Sequence, residues 1–362
     1  MSIEVSVVIP VHNGAHLLRK RIENVLAQSL KSIEIILVEN GSADNSFALC
    51  RRLEKEHLCI KVHHNDEPST SLARKKGVQM ASGKYVVFSD QDDRYINSHA
   101  IEDMCRTIDN DQADIVVFGY YKQYYGVLKR QIKKSECSLS RSEILRKEIK
   151  GVMGVPNSLL DQPVWNKIYR TAVVKDAVEH IEDSLCFAED ELLNIWAFVS
   201  HYTQKVTVHN EAYYVWSANV GYSSKSDSNQ ALLWDYNVVK PLAAQIVAKH
   251  MEDPISVLWD IHLESLYCLK YVVTKMISEE TDRLKVIDYI DKIQSLEYIK
   301  EAKKYVNTYP DQSKIWEDLR FLASESSASE YYEYIKSSQN SSKRNLITSL
   351  KQRFATLLKN GR

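Results

Sequence analysis

Apolar residues in the first third of the chain fall in short runs, with helically spaced apolar positions between them. Val5–Ile9, Ile35–Val38, Ile60–Val62, Tyr85–Phe88 and Ile115–Phe118 hold few polar positions, the pattern of strands covered on both faces. Between the first two runs, Leu17, Leu18, Ile22, Val25 and Leu26 recur at helical spacing; after Gly41-Ser42 so do Phe47, Cys50 and Leu53. Strand–helix alternation at this scale predicts a doubly wound, mostly parallel α/β sheet. Ligands of such sheets sit beyond the carboxyl ends of the strands, so the residues just after each run matter most.

Past residue 120 the rhythm changes. Tyr120–Lys134 reads as a strand or hairpin rich in Tyr and Lys, and Ser140-Arg141-Ser142-Glu143 is a capping box that opens a helix. From Lys225 to Ser338 the pattern is helical, with Trp234, Tyr236, Leu242 and Ile246, then Leu258, Ile261, Leu266, Leu269 and Val273. Loose connections are expected at Ser324–Ser329 and Ser337–Ser342. From Ser341 to Arg362 no residue is acidic. Lys343, Arg344, Lys351, Arg353, Lys359 and Arg362 are basic there, and Leu346, Ile347, Leu350, Phe354, Leu357 and Leu358 fall at helical spacing. That tail predicts a basic amphipathic helix, docked on the inner face of a membrane or packed on its own domain or a subunit partner.

Charge narrows the function. With 47 basic and 48 acidic residues the net charge is −1, which argues against nucleic acid as a partner. Six cysteines form no CxxC pair, so buried, reduced thiols are expected. The start, Met1–Gly14, enters strand-like sequence directly, and Leu258–Ile277 is interrupted by Asp260, His262, Glu264, Lys270 and Lys275. Neither reads as a signal peptide or a membrane span, and a cytoplasmic location is expected.

Three polar segments follow predicted strands and should converge: Pro10-Val11-His12-Asn13-Gly14, Glu39-Asn40-Gly41-Ser42-Ala43-Asp44 and Ser89-Asp90-Gln91-Asp92-Asp93. Asp90 and Asp92 offer hard oxygen ligands of the kind that hold Mg²⁺ or Mn²⁺ beside phosphates. A lone DxD is more often a solvated turn, but here a buried strand delivers it to the binding edge. No GxGxxG and no Walker lysine follows the first strand, so dehydrogenase and P-loop readings fall.

Five ordered segments carry a family resemblance. Val5–Gly14, Ile35–Ser46, Ala73-Arg74-Lys75-Lys76-Gly77, Ala81–Asp93, and the pair Val164–Arg170 with Phe187-Ala188-Glu189-Asp190 resemble bacterial family 2 glycosyltransferases of the GT-A fold over residues 3–223. The resemblance implies a GT-A domain over 1–223, and the residue pattern adds a helical region over 224–340 and the tail over 341–362. It implies an inverting, metal-dependent transfer from a nucleotide-sugar, with a UDP-sugar the expected donor and Mn²⁺ or Mg²⁺ the cofactor. The acceptor would be a glycan or lipid-linked glycan for a surface polysaccharide such as capsule or lipopolysaccharide.

Carried over residue by residue, Pro10, Val11, Glu39, Asn40, Arg74, Asp90 and Gln91 would bind the donor. Asp92, with Asp90, would hold the metal, and Asp190 would be the general base. Trp165 reads either as a core aromatic or as a ring on the acceptor side, where Glu189 is also expected. The family's usual acid before Gly-Ser is Asn40 here, which leaves the base open between uracil and cytosine, and Lys75 stands where the family has Asn. Two other readings remain: a sugar nucleotidyltransferase, disfavoured by the missing basic phosphate loop, and an inactive nucleotide-sugar-binding partner or scaffold, disfavoured by intact Asp90, Asp92 and Asp190.

Overall fold

The computed structural model describes residues 2–133, 135–153, 158–185, 188–217, 238–251, 254–279, 281–308, 317–324 and 326–339. The chain divides into two compact units, Met1–Val257 and Leu258–Arg362. The boundary expected at residue 223 and the basic tail both lie outside the described residues.

The first unit is built on one mixed sheet. β1 (Val5–Val11) is buried along nearly its whole length and pairs in parallel with β2 (Ile33–Asn40) and β4 (Tyr85–Phe88); β3 (Ile60–Asn65) extends β2. These are the expected strands, in the order β3-β2-β1-β4. The helices that cross between them are α1 (Ala15–Leu26), α2 (Ser46–Glu56) and α3 (Thr70–Met80). Ser69 caps α3, its hydroxyl accepting from the Leu72 amide. Gly77 lets α3 lie directly on β1, because a Cβ there would stand 2.3 Å from a Val8 methyl carbon.

Beyond β4 the order continues β9-β6-β10-β5. β5 (Arg94–Tyr95) is followed by α4 (Ala100–Asp111), β6 (Ile115–Tyr124), β7 (Val127–Gln131) and β8 (Cys137–Ser140). β9 (Lys167–Arg170) runs antiparallel between β4 and β6. Its four residues carry two charges, so no apolar run announces it; Lys167 is tolerated inside because its ammonium donates to Asp161 and Asn166. β10 (Lys205–Ser217) runs parallel to β6 and antiparallel to β5 and β8. β6 and β7 form the expected hairpin. The capping box at Ser140 is present, leading into short helical turns through Met153.

α5 (Thr171–Glu179), α6 (Glu189–Val199) and α7 (Lys240–His250) complete the described part of this unit. The second unit is helical where described, through most of α8 (Pro254–Ser278), then α9 (Arg283–Ser295), α10 (Glu297–Asn307) and α11 (Glu317–Ala323). Ser337 and Ser338 are not a loose connection. They stay helical, their hydroxyls each 2.8 Å from the carbonyls of Tyr334 and Ile335. Among the described residues no helix is long and apolar enough to cross a membrane. Of the cysteines, Cys50, Cys59, Cys105 and Cys137 are free thiols.

Candidate active site

The register β1–β2–β4 sets Val11 beside Glu39 and brings the Ser89–Asp93 turn out next to Val8. Gln91 joins the two edges. Its carbonyl accepts from the His12 amide at 3.0 Å and its amide donates to the His12 carbonyl at 2.8 Å. Gly14 is needed for that clamp, since a Cβ there would lie 2.0 Å from the Gln91 side-chain oxygen.

The acidic turn holds charge that burial disfavours. Burial raises the Asp90 carboxyl to about 6, against the pull of Arg74 and with Asp190 and Asp92 pushing the same way. Asp92 is raised by burial too. Asp93 is 4% exposed. Burial, with Asp90 and Asp92 beside it, holds it well above the usual carboxylate range. One Asp93 oxygen accepts from the Ser217 amide at 2.7 Å; the other has no hydrogen-bond partner among the described residues.

Arg74, on α3 and 5% exposed, ties this turn to α6. Its guanidinium lies 3.5 Å from Asp90, 2.7 Å from Asp190 and against Glu189. Asp190 also approaches the Val164 amide at 3.4 Å. Glu189, Asp190 and Glu191 form the first turn of α6, where carboxylates complement the helix dipole. Asp90, expected at the donor and metal, and Asp190, expected as the base, thus meet around one arginine, although they lie a hundred residues apart in sequence; Asp92 is not among the carboxylates at that guanidinium.

The family model described as glycosyl transferase family 2 matches residues 6–177. Those residues are a family 2 glycosyl transferase domain. The whole of the acidic turn and Arg74 fall inside that match, while Asp190 lies just beyond it. The chain is 28% identical over 215 residues to the uncharacterized glycosyltransferase EpsJ of Bacillus subtilis, covering 59% of this chain and 61% of that relative. It is 33% identical over 122 residues to the glycosyltransferase GlyG of Streptococcus pneumoniae, covering 33% of this chain and 40% of that one. The chain thus spans less than two thirds of either relative. Among solved structures, S. aureus TarS 1-349 in complex with UDP-GlcNAc superposes with a TM-score of 0.70 at 19% identity, over 93% of this chain and 92% of that one. The fold is therefore GT-A.

Within the family domain, the residues expected to line the nucleoside pocket are mostly committed to the loops. Val11 is core, and Pro10 is half-buried beside it. Glu39 is fully buried; one oxygen accepts from the Ser42 amide at 2.8 Å and the other pairs with His64. The Asn40 side-chain carbonyl accepts from Asn65 at 3.2 Å and from the Ser69 amide at 3.0 Å. Trp165 is 7% exposed, stacked on Tyr214 and Trp216 and edge-on to Tyr120.

Sequence reasoning missed two supports. Arg21 of α1 is buried beneath the turn, donates to the Ser89 hydroxyl and lies over the rings of Tyr95 and Tyr214. The Tyr214 hydroxyl accepts from the Asp90 amide at 2.9 Å. An arginine on an otherwise apolar helix face was the available signal for the first; only the β5–β10 pairing reveals the second. Glu136, His209 and Glu211 also lie within ligand distance of one another. Two of the three are already engaged: His209 pairs with Asp111 at 2.7 Å and Glu136 accepts from the Asn210 amide at 2.9 Å.

Proposed function

We propose that this chain transfers a sugar from a UDP-sugar to an acceptor hydroxyl with inversion at the anomeric carbon. The observation that supports it most directly is the Arg74 bridge, which sets a candidate base, Asp190, beside the acidic turn of a family 2 domain. As the acceptor oxygen forms its bond to the anomeric carbon, Asp190 takes the hydroxyl proton. The bond to the diphosphate oxygen breaks, and its electron pair leaves with UDP. In this reading Arg74 meets the negative charge that develops on the diphosphate.

Asp92 and Asp90 suit Mn²⁺ or Mg²⁺ as hard oxygen donors. The Asp93 oxygen without a hydrogen-bond partner among the described residues, and carboxyls whose charge is disfavoured by burial and by one another, leave oxygens whose charge a divalent cation would compensate, so the residues fit such an ion. When bound, it would neutralise the leaving diphosphate. A UDP donor is supported by the TarS structures of the same fold, which hold UDP and UDP-GlcNAc. UDP-GlcNAc is the first donor to test. A surface glycan as product, with a glycan or lipid-linked acceptor, rests on the family resemblance of the sequence alone.

Calorimetry with UDP, CDP and GDP, with and without Mn²⁺, tests the donor side: UDP should bind best and more tightly with metal. Asp190→Asn should keep UDP affinity while turnover of UDP-GlcNAc falls ~10²-fold or more. Full turnover in EDTA would refute the metal; lost UDP affinity with unchanged turnover would move the base elsewhere.

A further inference from the structure

The β6–β7 hairpin carries apolar surface to which the proposed transfer assigns no role. Among the described residues, Tyr124, Tyr125, Val127, Leu128 and Ile132 are exposed within nine positions of one another, while the other large exposed apolar residues are scattered. Isolated exposed apolar residues are ordinary, but a cluster of this kind marks an interaction surface. Its tip is costly twice over. Tyr125 is 86% exposed and holds φ 46°, in the left-handed region that bulky residues avoid, followed by Gly126 at φ 82°.

The hairpin is amphipathic along its length rather than across its faces. Tyr124 pairs with Val127 at the tip and Gln123 with Leu128 behind it, so both faces of the tip carry apolar groups. The next positions inward are Lys122 opposite Lys129 and Tyr121 opposite Arg130. Two lysines directly across a ladder repel each other. Among the described residues neither pairs with a carboxylate; Lys122 instead lies over the Trp216 ring, 4.7 Å from its centre. No Asp or Glu occurs between Ile115 and Lys133.

We infer that this hairpin docks the enzyme on an anionic lipid surface. The tip side chains enter the headgroup–acyl boundary, and the collar of Lys122, Lys129 and Arg130 sits among anionic headgroups. The aliphatic members Val127, Leu128 and Ile132 favour lipid over an anionic glycopolymer, which would stack on the tyrosines but has no use for them. β6 also runs from the tip back to Tyr120, which packs on Trp165 beside the candidate site. Four residues of strand put that end about 13 Å above the tip, within reach of a lipid-linked molecule.

Flotation of the full chain tests this, using vesicles of phosphatidylcholine alone and of phosphatidylcholine with one-third phosphatidylglycerol. Wild type should float only with the anionic vesicles, less so as salt rises. The variant Tyr124→Ser/Tyr125→Asn/Val127→Thr/Leu128→Thr should lose roughly tenfold or more of that binding, with its melting temperature and UDP affinity unchanged. Because the basic tail is present in both proteins, a local readout is added. The emission of Tyr125→Trp should be quenched by brominated-chain lipid beyond the wild-type level. Wild-type binding by the tip variant, no vesicle binding by either protein, or no added quenching at Trp in place of Tyr125 would each overturn the inference. So would a tip variant that floats normally but loses affinity for soluble polyphosphate, which would make the hairpin a glycopolymer platform. Loss of sugar transfer with flotation intact would count against the proposed reaction and leave the docking surface standing.

Discussion

Arg74 is the residue on which the site depends most. Its guanidinium faces Asp90, Glu189 and Asp190 from a buried position, so removing it leaves three carboxylates without their shared cation. Arg74→Met should cost about 3–5 kcal/mol at neutral pH, and lowering the pH toward 5 should recover part of the loss by protonating Asp90, whose carboxyl is already raised to about 6. Arg74→Lys should recover little, because an ammonium cannot span both sides as the planar guanidinium does. Thermal melts at two pH values check both. Asp93 gives the opposite sign. Its carboxyl is raised in the folded state, so the folded protein holds this proton to higher pH than the unfolded chain, and stability falls as pH rises above ~4. Asp93→Asn keeps the acceptor for the Ser217 amide. It should raise the melting temperature at pH 7.5 by about 2–4 °C, with the gain vanishing near pH 4. Arg74 and Asp93 were both visible as motif letters, but their charge balance was not. It depends on burial and on partners that lie far off in sequence.

At the scale of elements, strands with continuous apolar runs were legible and the strand without one was not. β1, β2, β3 and β4 occur where their patterns predict. β9 does not announce itself, since Lys167 and Arg170 are admitted only by tertiary partners, Lys167 by Asp161 and Arg170 by the Ala113 carbonyl. The loops show the same division. Gly14 and Gln91 belong to different loops and could be recognised singly, but their contact needs the register of β1 against β4. Gly14→Ala should cost about 1–3 kcal/mol by driving Gln91 off the His12 backbone. The double variant Gly14→Ala/Gln91→Ala should melt no lower than Gln91→Ala alone, because the truncated side chain removes the clash. A double variant that melts much lower than either single would show that Gly14 matters for another reason.

Over the whole molecule the two units should answer acid differently. His262, in the Leu258–Arg362 unit, is 1% exposed, lies against the rings of Tyr298 and Tyr305, and is lowered by burial to about 4. A depressed histidine stays neutral in the fold while the unfolded chain takes the proton, so stability is lost as pH falls from ~6.5 toward 4, by about 3 kcal/mol. Over the same interval the raised carboxyls at Asp90 and Asp93 favour the folded Met1–Val257 unit. Calorimetry at pH 7.5 and 5 should show the helical unit's transition falling, and His262→Phe should remove most of that fall. The sequence by itself determined the strand–helix alternation, the parallel β1–β4 core and the family, because apolar periodicity and contiguous motifs are local and survive without coordinates. It also named Asp90, Asp92, Arg74 and Asp190. Only the tertiary structure decided that the Arg74 guanidinium joins Asp90 to Asp190, that Glu39 and Asn40 spend their side chains on loop contacts, and that Arg21 and Tyr214 support the turn. Those facts are pairings between distant segments, and the energy of a buried charge is set by what the fold places around it, which no local pattern encodes.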